Sequence, residues 1–314
     1  MSVTVIIPSL NGKAHLSKIM SILSVQERKG MEIIVIDSSS TDNTAQIAQN
    51  LGARVEVIPR VEFDHGGTRN RAAKLATGDI LVFLTQDALP AHSDFLEKLT
   101  KPIRDGVVVA AYAKQRATPN ANPLERFMRE FRFPESSSVR KLEVGQTLSV
   151  RDVAFSNAAA AYKADVFWEL SGFPENVILG EDVMFVSKAL KAGYAIGYCA
   201  EAQVWHTHDY TPWQQFKRYF DIGACYSRAG DTLGGAQASG EGLRFAKAQF
   251  AFLTKEKAWL WFPRAVLELG AKWLGYRLGY FEDRLPLAWK KRMSLQPHFW
   301  QREAAKASTR PQPE

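Results

Sequence analysis

The sequence feature that most constrains the fold is the segment at residues 80–87, ILVFLTQD, in which five apolar residues lead into a short polar step that ends in a carboxylate. A continuous apolar run of this length, bounded by turn residues, is typical of a central strand that is covered on both faces. In open α/β sheets, ligands bind outside the carboxyl ends of such strands. Asp87 is therefore a candidate ligand for a divalent cation, which can neutralise the phosphates of a bound nucleotide. The alternative is that Asp87 caps a helix beginning near His92.

The first 60 residues alternate between strand and helix patterns. Residues 3–7 form a short β-branched run closed by Pro8, residues 31–36 form a second run ending in Asp37, and apolar residues at helical spacing follow each of them. This alternation predicts right-handed βαβ units and a mostly parallel sheet flanked by helices. Asp37 and Asp87 then share one edge of the sheet. Asp37 can accept the imide N–H of a uracil or thymine or the hydroxyls of a ribose, and its alternative role is to cap the helix after Thr41.

Between these two carboxylates lies the turn at residues 63–73, FDHGGTRNRAA, which leads into an alanine-rich helix. Paired glycines allow close backbone approach, a helix amino terminus favours an anion, and Arg69 or Arg71 adds positive charge. These properties suit a pyrophosphate group. The turn matches neither the Walker nor the GxGxxG pattern, and the alternative is an ordinary turn with surface arginines.

Two further clusters have the residue types of a catalytic site. Glu181 and Asp182 begin an apolar helix, where a carboxylate is suited to act as a general base, although acids at helix starts also simply complement the helix dipole. His206 and His208 share a face of an extended segment, so both imidazoles can reach one site. They lack a third close ligand, which argues against a structural zinc site, and a purely structural pair is the alternative.

Composition divides the chain near residue 210. Residues 211–314 contain 17 Lys and Arg against 9 Asp and Glu, and six of the eight Trp, whereas the charges of the first 210 residues nearly balance. We therefore predict a catalytic domain at residues 1–210 and a basic, Trp-rich helical region at residues 211–314. The cysteines, Cys199 and Cys225, match no disulfide framework, and no signal peptide or run of about 18 apolar residues is present, which favours a cytoplasmic protein.

Four motifs, VIIPSLNG, VIDSSSTDNT, FDHGGTRNRAA and LTQDA, occur in this order within the first 90 residues. In combination they resemble the inverting family 2 glycosyltransferases with a GT-A fold, and the last two are most similar to the rhamnosyltransferase branch. The resemblance extends over about the first 210 residues. It implies an α/β fold of Rossmann type, with the basic region as a C-terminal helical extension.

The resemblance also implies roles for individual residues. Asp182 is the catalytic base with Glu181 as its supporting neighbour, and Thr85-Gln86-Asp87 replaces the family's DxD motif, so that Asp87 holds Mg²⁺ or Mn²⁺ together with the diphosphate. His206 is the first choice and His208 the second for completing that metal site. The residues implied in nucleotide or donor binding are Pro8 in the first nucleotide loop, Asp37 at the base, Asp64, His65, Gly67, Arg69 and Asn70 in the turn, Gln86, and Arg218 at the diphosphate.

By this resemblance the chain transfers a sugar, L-rhamnose from dTDP-L-rhamnose, to a hydroxyl of a surface polysaccharide or of a glycan carried on a polyprenyl diphosphate. One alternative is a UDP-hexose donor with the same chemistry. Another is a non-catalytic nucleotide-binding scaffold, since the DxD motif is reduced to Asp87. A general base and a cation at the leaving phosphate are the two elements that such a transfer requires.

The C-terminal region has its own possible partners. Residues 258–281 mix Trp and Leu with basic residues, and Lys290-Lys291-Arg292 follows, a composition that suits the surface of an anionic membrane and a peripheral location on it. The alternative is a helical pair packed on the catalytic domain or on another subunit in a homo-oligomer. No recognisable nucleic-acid module is present, so nucleic acid is not expected as a partner. Residues 233–242 resemble a linker, and residues 303–314 a frayed tail.

Overall fold

The computed structural model describes residues 1–26, 31–143, 145–230 and 241–309 of the chain, and the predicted linker at residues 233–242 lies almost wholly outside them. The strands in this part of the chain are β1 Val3–Ser9, β2 Glu32–Asp37, β3 Arg54–Val57, β4 Ile80–Leu84, β5 Leu89–Pro90, β6 Ala110–Arg116, β7 Ser138–Arg140, β8 Ala159–Lys163 and β9 Ile196–Trp205. The helices are α1 Lys13–Val25, α2 Thr44–Asn50, α3 His65–Ala73, α4 Phe95–Arg104, α5 Pro123–Arg132, α6 Ala164–Glu169, α7 Glu181–Lys191, α8 Pro212–Ala229, α9 Glu241–Lys255, α10 Phe262–Tyr280, α11 Leu287–Met293 and α12 Pro297–Thr309.

One mixed sheet has the strand order β3-β2-β1-β4-β8-β6-β9-β5, with β7 paired to β9. Its first four strands are parallel, as the βαβ pattern predicts. The prediction of a mostly parallel sheet is wrong for the other half, because β8 runs antiparallel between β4 and β6, and both β5 and β7 run antiparallel to β9. Only β6 and β9 pair in parallel there. The α/β class is correct, and the sheet is mixed.

Strand β4 is the buried central strand that its sequence predicts. All five of its residues are buried. Ile80, Val82 and Leu84 pack in the hydrophobic core on one face of the sheet, and Leu81 and Phe83 pack in the core on the other face. This coverage on both faces fixes the strand in position and leaves its carboxyl end as the place where the chain reaches a polar edge.

The C-terminal helices are packed onto α7 through a third hydrophobic core. Phe216 and Phe220 of α8 and Trp300 of α12 pack there with Leu179 and Met184. The prediction of a frayed tail from residue 303 is wrong as far as residue 309, because α12 extends to that point, and residues 310–314 lie outside the described part of the chain. None of the described helices is both long and apolar enough to cross a membrane.

Candidate active site

The carboxyl ends of β1, β2 and β4 form one edge of the sheet. Ser9 pairs with Asp37 at the ends of β1 and β2, and β4 pairs with β1 on its other side. Asp87 follows three residues after the end of β4. The predicted common edge for Asp37 and Asp87 is therefore present.

The first loop at this edge is held by Gln86. Its Oε1 accepts hydrogen bonds from Ser9 Oγ at 2.8 Å and from Leu10 N at 2.9 Å, and its Nε2 donates to Leu10 O at 3.0 Å. The prediction of a direct donor contact for Gln86 conflicts with this arrangement, because both ends of its amide are bonded to the protein. The prediction that Pro8 lies in the first nucleotide loop is also wrong. Pro8 lies within β1, opposite Ile36.

Asp37 is almost fully buried and accepts hydrogen bonds from the backbone N–H of Ser40, at 2.8 Å, and from the Ser40 hydroxyl. It does not cap the next helix, since Asn43 occupies that position. Three residues in these loops, Asn11, Ser39 and Asn43, have left-handed φ angles of 49°, 61° and 64°. Backbone strain of this kind concentrates at functional sites, which marks the loops around Asp37 as a candidate binding region.

The structure brings Asp87, His206 and His208 together. Asp87 Oδ2 lies 3.4 Å from His206 Nε2 and 3.9 Å from His208 Nδ1, and one ligand atom from each residue lies within 4.8 Å of the others. The two histidines follow directly after β9. The helix for which Asp87 was a possible cap is α4, and the residue at its N-cap position is Asp94. The alternative of a helix cap is therefore wrong for Asp87.

The donor set of this cluster fits a divalent cation. The Nδ1 atom of His206 lies 2.9 Å from the Oε1 atom of Gln115, whose orientation is set by its Nε2 donating to Ser156 Oγ and by Arg129 donating to its Oε1. An amide oxygen only accepts, so Nδ1 carries the proton and the Nε2 lone pair points towards Asp87. A lone pair and a carboxylate that face each other at 3.4 Å are suited to bind one cation, with Gln115 in the orienting role that metal-bound histidines require.

The protonation states in the cluster agree with this interpretation. Burial alone would raise the pKa of Asp87, but the hydrogen bond and charge that His206 supplies when its Nε2 also carries a proton lower it well below its usual range, so this carboxylate is ionised at neutral pH. A bound cation would take the place of that Nε2 proton. Burial, and secondarily the charge of His206, lowers the pKa of His208 to about 4. His208 is therefore neutral near pH 7 and can offer a lone pair.

The second part of the site begins at Gly180, which precedes α7 with a φ of 82°. A side chain there would be strained, and its Cβ would lie 2.9 Å from the sulfur of Cys225. This turn sets the directions of Glu181 and Asp182. Asp182 accepts hydrogen bonds from the backbone N–H groups of Asn157, at 2.9 Å, and of Val183, at 2.8 Å.

Glu181 and Asp182 have different electrostatic surroundings. Burial would raise the pKa of Glu181, but Arg69, whose Nη1 lies 3.4 Å from Glu181 Oε1, and His65 lower it below its ordinary value. Burial and the negative charge of Glu181 raise the pKa of Asp182 to about 6. Glu181 therefore stays ionised while Asp182 can take up a proton near neutral pH, a separation of roles that is typical of catalytic carboxylates.

Asn157 and Thr85 connect the two parts of the site. The backbone N–H of Thr85 donates to Ala158 O at 3.0 Å, and the preceding residue, Asn157, donates from its backbone to Asp182 and from its Nδ2 to Glu181 at 3.1 Å. Tyr162 donates to Asn157 Oδ1 at 2.5 Å and fixes the amide orientation. The polar residues 85–87, which include Asp87, therefore lie at the same edge of the sheet as Glu181 and Asp182.

The turn before α3 is occupied by the protein's own groups. Asp64 caps α3 by accepting from Gly67 N at 2.7 Å. Asn70 donates to Phe173 O and accepts from Phe173 N, both at 2.9 Å. The predicted pyrophosphate site conflicts with these contacts, because a carboxylate already lies at the helix amino terminus.

Arg69 and His65 also face inward from this turn. Arg69 is buried, donates to His65 O at 2.8 Å and lies beside Glu181. Burial is the main reason why the pKa of His65 is lowered to about 4, so His65 is neutral at pH 7. Both side chains therefore lie in the protein interior and act on Glu181. The prediction that they contact the donor phosphates conflicts with these positions.

Replacing Arg69 by methionine should lower the free energy of unfolding by about 3 to 5 kcal/mol, because it leaves Glu181 as an unpaired buried charge. Since the pKa of Glu181 is lowered in the folded chain, the loss is present above the ordinary pKa of 4.5 and shrinks as the pH falls below it. Urea denaturation at pH 7 and at acidic pH measures both effects. The matched control is Arg71→Met on the same helix, where an exposed pair with Glu56 is lost at a cost of about 1 kcal/mol or less. Equal losses in the two variants would contradict a supporting role for Arg69.

Arg218 is the remaining predicted donor residue, and it faces the site from α8. It is half-buried, and among the described residues no carboxylate lies within salt-bridge distance of it. Burial is the main cause of the lowered pKa values of His65 and His208, and the positive charge of Arg218 contributes to both. Arg218 therefore presents an unpaired positive charge within electrostatic reach of the cation cluster.

A cavity in the described part of the chain does not coincide with this site. It measures about 340 Å³ and lies along the face of α3 that carries Gly67, Arg71 and Lys74. Neither Asp87 nor Asp182 lines it. The carboxylates and their hydrogen-bond networks therefore define the candidate active site, and the cavity beside α3 does not.

Three residues with clear roles at the site were not assigned by sequence reasoning. Asn157 stands in the run SNAAA at residues 156–160, whose small residues permit a substrate to lie close to the backbone or, equally, close packing against the sheet, and neither interpretation gives Asn157 a role of its own. Gln115, inside a strand, gave no signal. Arg302 of α12 donates to Phe63 O and lies near Asp64, and a position directly before the expected tail gave no reason to connect it with the turn before α3.

Comparison with known proteins gives three results. The model of glycosyl transferase family 2 matches residues 4–171. The chain is 40% identical to the O-antigen chain rhamnosyltransferase RfbN of Salmonella typhimurium, covering 96% of each chain, and 40% identical to the O-antigen chain rhamnosyltransferase WbaN of Salmonella anatum, covering 95% of this chain and 96% of that one. Among solved structures, the mannosyltransferase PcManGT of Pyrobaculum calidifontis, determined with GDP-Man and Mn²⁺, superposes with a TM-score of 0.64 at 20% identity over 90% of this chain and 88% of that one.

Proposed function

The chain belongs to glycosyl transferase family 2, and from that premise we propose that it transfers L-rhamnose from dTDP-L-rhamnose, with inversion, to a hydroxyl of a lipid-linked O-antigen glycan. The family, the α/β GT-A fold and the glycosyltransferase activity predicted from the sequence are confirmed. The sugar and the acceptor are proposed from the two Salmonella relatives, to which the chain is similar along nearly its whole length.

The observation that carries the mechanism is the contrast between two adjacent carboxylates. Glu181 is buried and held ionised by Arg69, whereas the pKa of Asp182 is raised to about 6 and its side chain keeps part of its surface exposed. A base with a pKa near the working pH transfers protons efficiently. We assign Asp182 as the general base and Glu181 as the residue that sets its pKa.

In this mechanism Asp182 accepts the proton of the acceptor hydroxyl while the hydroxyl oxygen attacks the anomeric carbon of the donor. The new bond joins that oxygen to the anomeric carbon, and the bond from the anomeric carbon to the diphosphate oxygen breaks, so that dTDP leaves with the bonding electron pair. The backbone N–H of Asn157 orients Asp182 during the proton transfer. A single displacement from the face opposite the leaving group inverts the anomeric configuration.

Asp87, His206 and His208 would hold Mg²⁺ or Mn²⁺, and the bound cation would neutralise charge on the leaving diphosphate. Arg218, with no carboxylate partner among the described residues, would add positive charge to the same group. Asp37 would accept the imide N–H of the thymine base at the strained loops. Gln86 would shape the first loop through its bonds to Leu10, without touching the donor.

The proposal is tested by the thermal stability of the protein with dTDP, UDP or GDP, each with Mn²⁺, with Mg²⁺ and with a chelator. A nucleotide at about 100 times its Kd should add roughly 2.7 kcal/mol to the free energy of unfolding. We expect dTDP with a cation to stabilise more than UDP, and the chelator to remove most of the effect. Greater stabilisation by UDP would favour a UDP-hexose donor, and no response to any nucleotide would favour a non-catalytic scaffold.

A further inference from the structure

Helix α10 is arranged with its polar and small residues inside and its large apolar residues outside. The buried stripe at helical spacing consists of Ala265, Glu268, Lys272, Gly275 and Gly279. The opposite side exposes four large apolar side chains, among which Trp273 is 66% exposed; they are Val266, Leu267, Trp273 and Leu274. A helix at the surface of a globular protein ordinarily has the reverse orientation.

Close packing against α8 fixes this orientation. A Cβ atom at Gly275 would lie 2.3 Å from the carbonyl oxygen of Phe216, and one at Gly279 would lie 2.0 Å from that of Phe220. Only the glycine face of α10 can approach α8 so closely. On the same face, Glu268 accepts from Arg264 at 2.9 Å, which satisfies its buried charge. The apolar side chains therefore cannot turn inward without breaking the α8–α10 contact.

Further large apolar side chains are exposed in the segments that flank α10 in the chain. In the helical turn that precedes α10, Trp259 is exposed and Leu260 is 95% exposed. In α11, which follows α10, Leu287 and Trp289 are exposed. We use the name α10 surface for the set formed by Trp259, Leu260, Val266, Leu267, Trp273, Leu274, Leu287 and Trp289. Exposed apolar side chains concentrated in this way mark an interaction site.

The charges in the same segments are mainly positive. Lys290 is engaged with Glu282, whereas five basic side chains are exposed against two acidic ones. The basic ones are Lys255, Lys257, Arg277, Arg284 and Arg292, and the acidic ones are Glu256 and Asp283. Anionic headgroups complement such a border, while a second copy of the chain would bring like charges towards each other.

We infer that the α10 surface lies on an anionic lipid bilayer, with its Trp and Leu side chains at the boundary between headgroups and acyl chains and its basic border on the headgroups. This mode of attachment needs no membrane-spanning helix. The surface is built from segments other than those that carry Asp87 and Asp182, so its failure would leave the proposed activity intact. Attachment would bring the active site to acceptors that are themselves anchored in the membrane.

The test is co-sedimentation of the full chain with vesicles of phosphatidylcholine alone and of phosphatidylcholine with phosphatidylglycerol. The test variant combines Leu260→Ser and Trp273→Ser, and the matched control is Trp168→Ser, an exposed Trp on α6. We expect the wild type and the control to bind the anionic vesicles, less strongly as salt is added. The test variant should bind them about tenfold or more weakly, because it has less apolar surface to bury in the bilayer.

Stabilisation by dTDP with Mn²⁺ serves as the check that both variants keep their fold and their nucleotide site. Equal vesicle binding by the wild type and the double variant, or no binding by either, would overturn the inference. A wild-type dimer in size-exclusion chromatography that the double variant dissociates, without vesicle binding, would also overturn it and assign the surface to a second copy of the chain.

Discussion

Replacing Asp182 by asparagine is expected to lower kcat by about 10²- to 10⁴-fold, the usual contribution of a general base, while dTDP with Mn²⁺ still stabilises the variant as it does the wild type. Asparagine has a similar shape and can still accept the hydrogen bond from Asn157, but it cannot take up the acceptor's proton. The control is Asp165→Asn on α6, which removes an exposed carboxylate that pairs with Lys163. A variant at position 182 that keeps wild-type turnover would contradict the assignment of the base.

The pH dependence of the wild type gives an independent check of the same residue. A base must be unprotonated, so kcat should fall as the pH drops below about 6, the value to which burial and Glu181 raise the pKa of Asp182. In the Glu181→Gln variant the neighbouring negative charge is gone, so the pKa of Asp182 should fall and the acidic limb should move to lower pH. An acidic limb that stays in place would show that another group controls it.

Replacing Asp87 by asparagine is expected to lower activity at a fixed Mn²⁺ concentration by about 100-fold or more and to remove the cation dependence of nucleotide stabilisation. The reason is that Asp87 supplies the charged ligand of the cluster that it forms with His206 and His208. Replacing Gln115 by leucine should have a smaller effect, about 10- to 100-fold, because it only releases His206 from its fixed orientation.

The two variants should also differ in their response to added cation. Raising the Mn²⁺ concentration should restore much of the activity of the Gln115→Leu variant but little of that of the Asp87→Asn variant. Asp94→Asn, at an exposed helix cap, is the control. If the Asp87→Asn variant still loses its activity to a chelator and needs the same Mn²⁺ concentration as the wild type, the assignment of Asp87 as a cation ligand is wrong.

The parts of the fold that follow from local pattern could be predicted from the sequence. Strands β1, β2 and β4 contain apolar runs that mark them as strands. A carboxylate that closely follows a buried strand must lie near the edge of the sheet. The pair His206 and His208 was recognisable because alternate residues of an extended segment share a face. These signals depend only on neighbours in the chain.

The rest depends on contacts between distant segments, which no local pattern contains. The paired glycines before Arg69 predicted a phosphate contact for it. Its ion-pair partner is instead Glu181 on α7, which lies far from Arg69 in the sequence. The direction of β8 is likewise set by where the chain returns to the sheet. In α10 the apolar residues indicated a packed face, yet the glycines that permit close approach to α8 decide which side is buried.

The most direct test of the central claim is the anomeric configuration of the product, determined by proton NMR after incubation of the enzyme with dTDP-β-L-rhamnose, Mn²⁺ and a lipid-linked glycan acceptor. With Asp182 as the single base and the diphosphate leaving from the opposite face, we predict an α-L-rhamnosyl product and release of dTDP. A β-L-rhamnosyl product would contradict the single displacement. Transfer from UDP-glucose but not from dTDP-β-L-rhamnose would contradict the proposed donor.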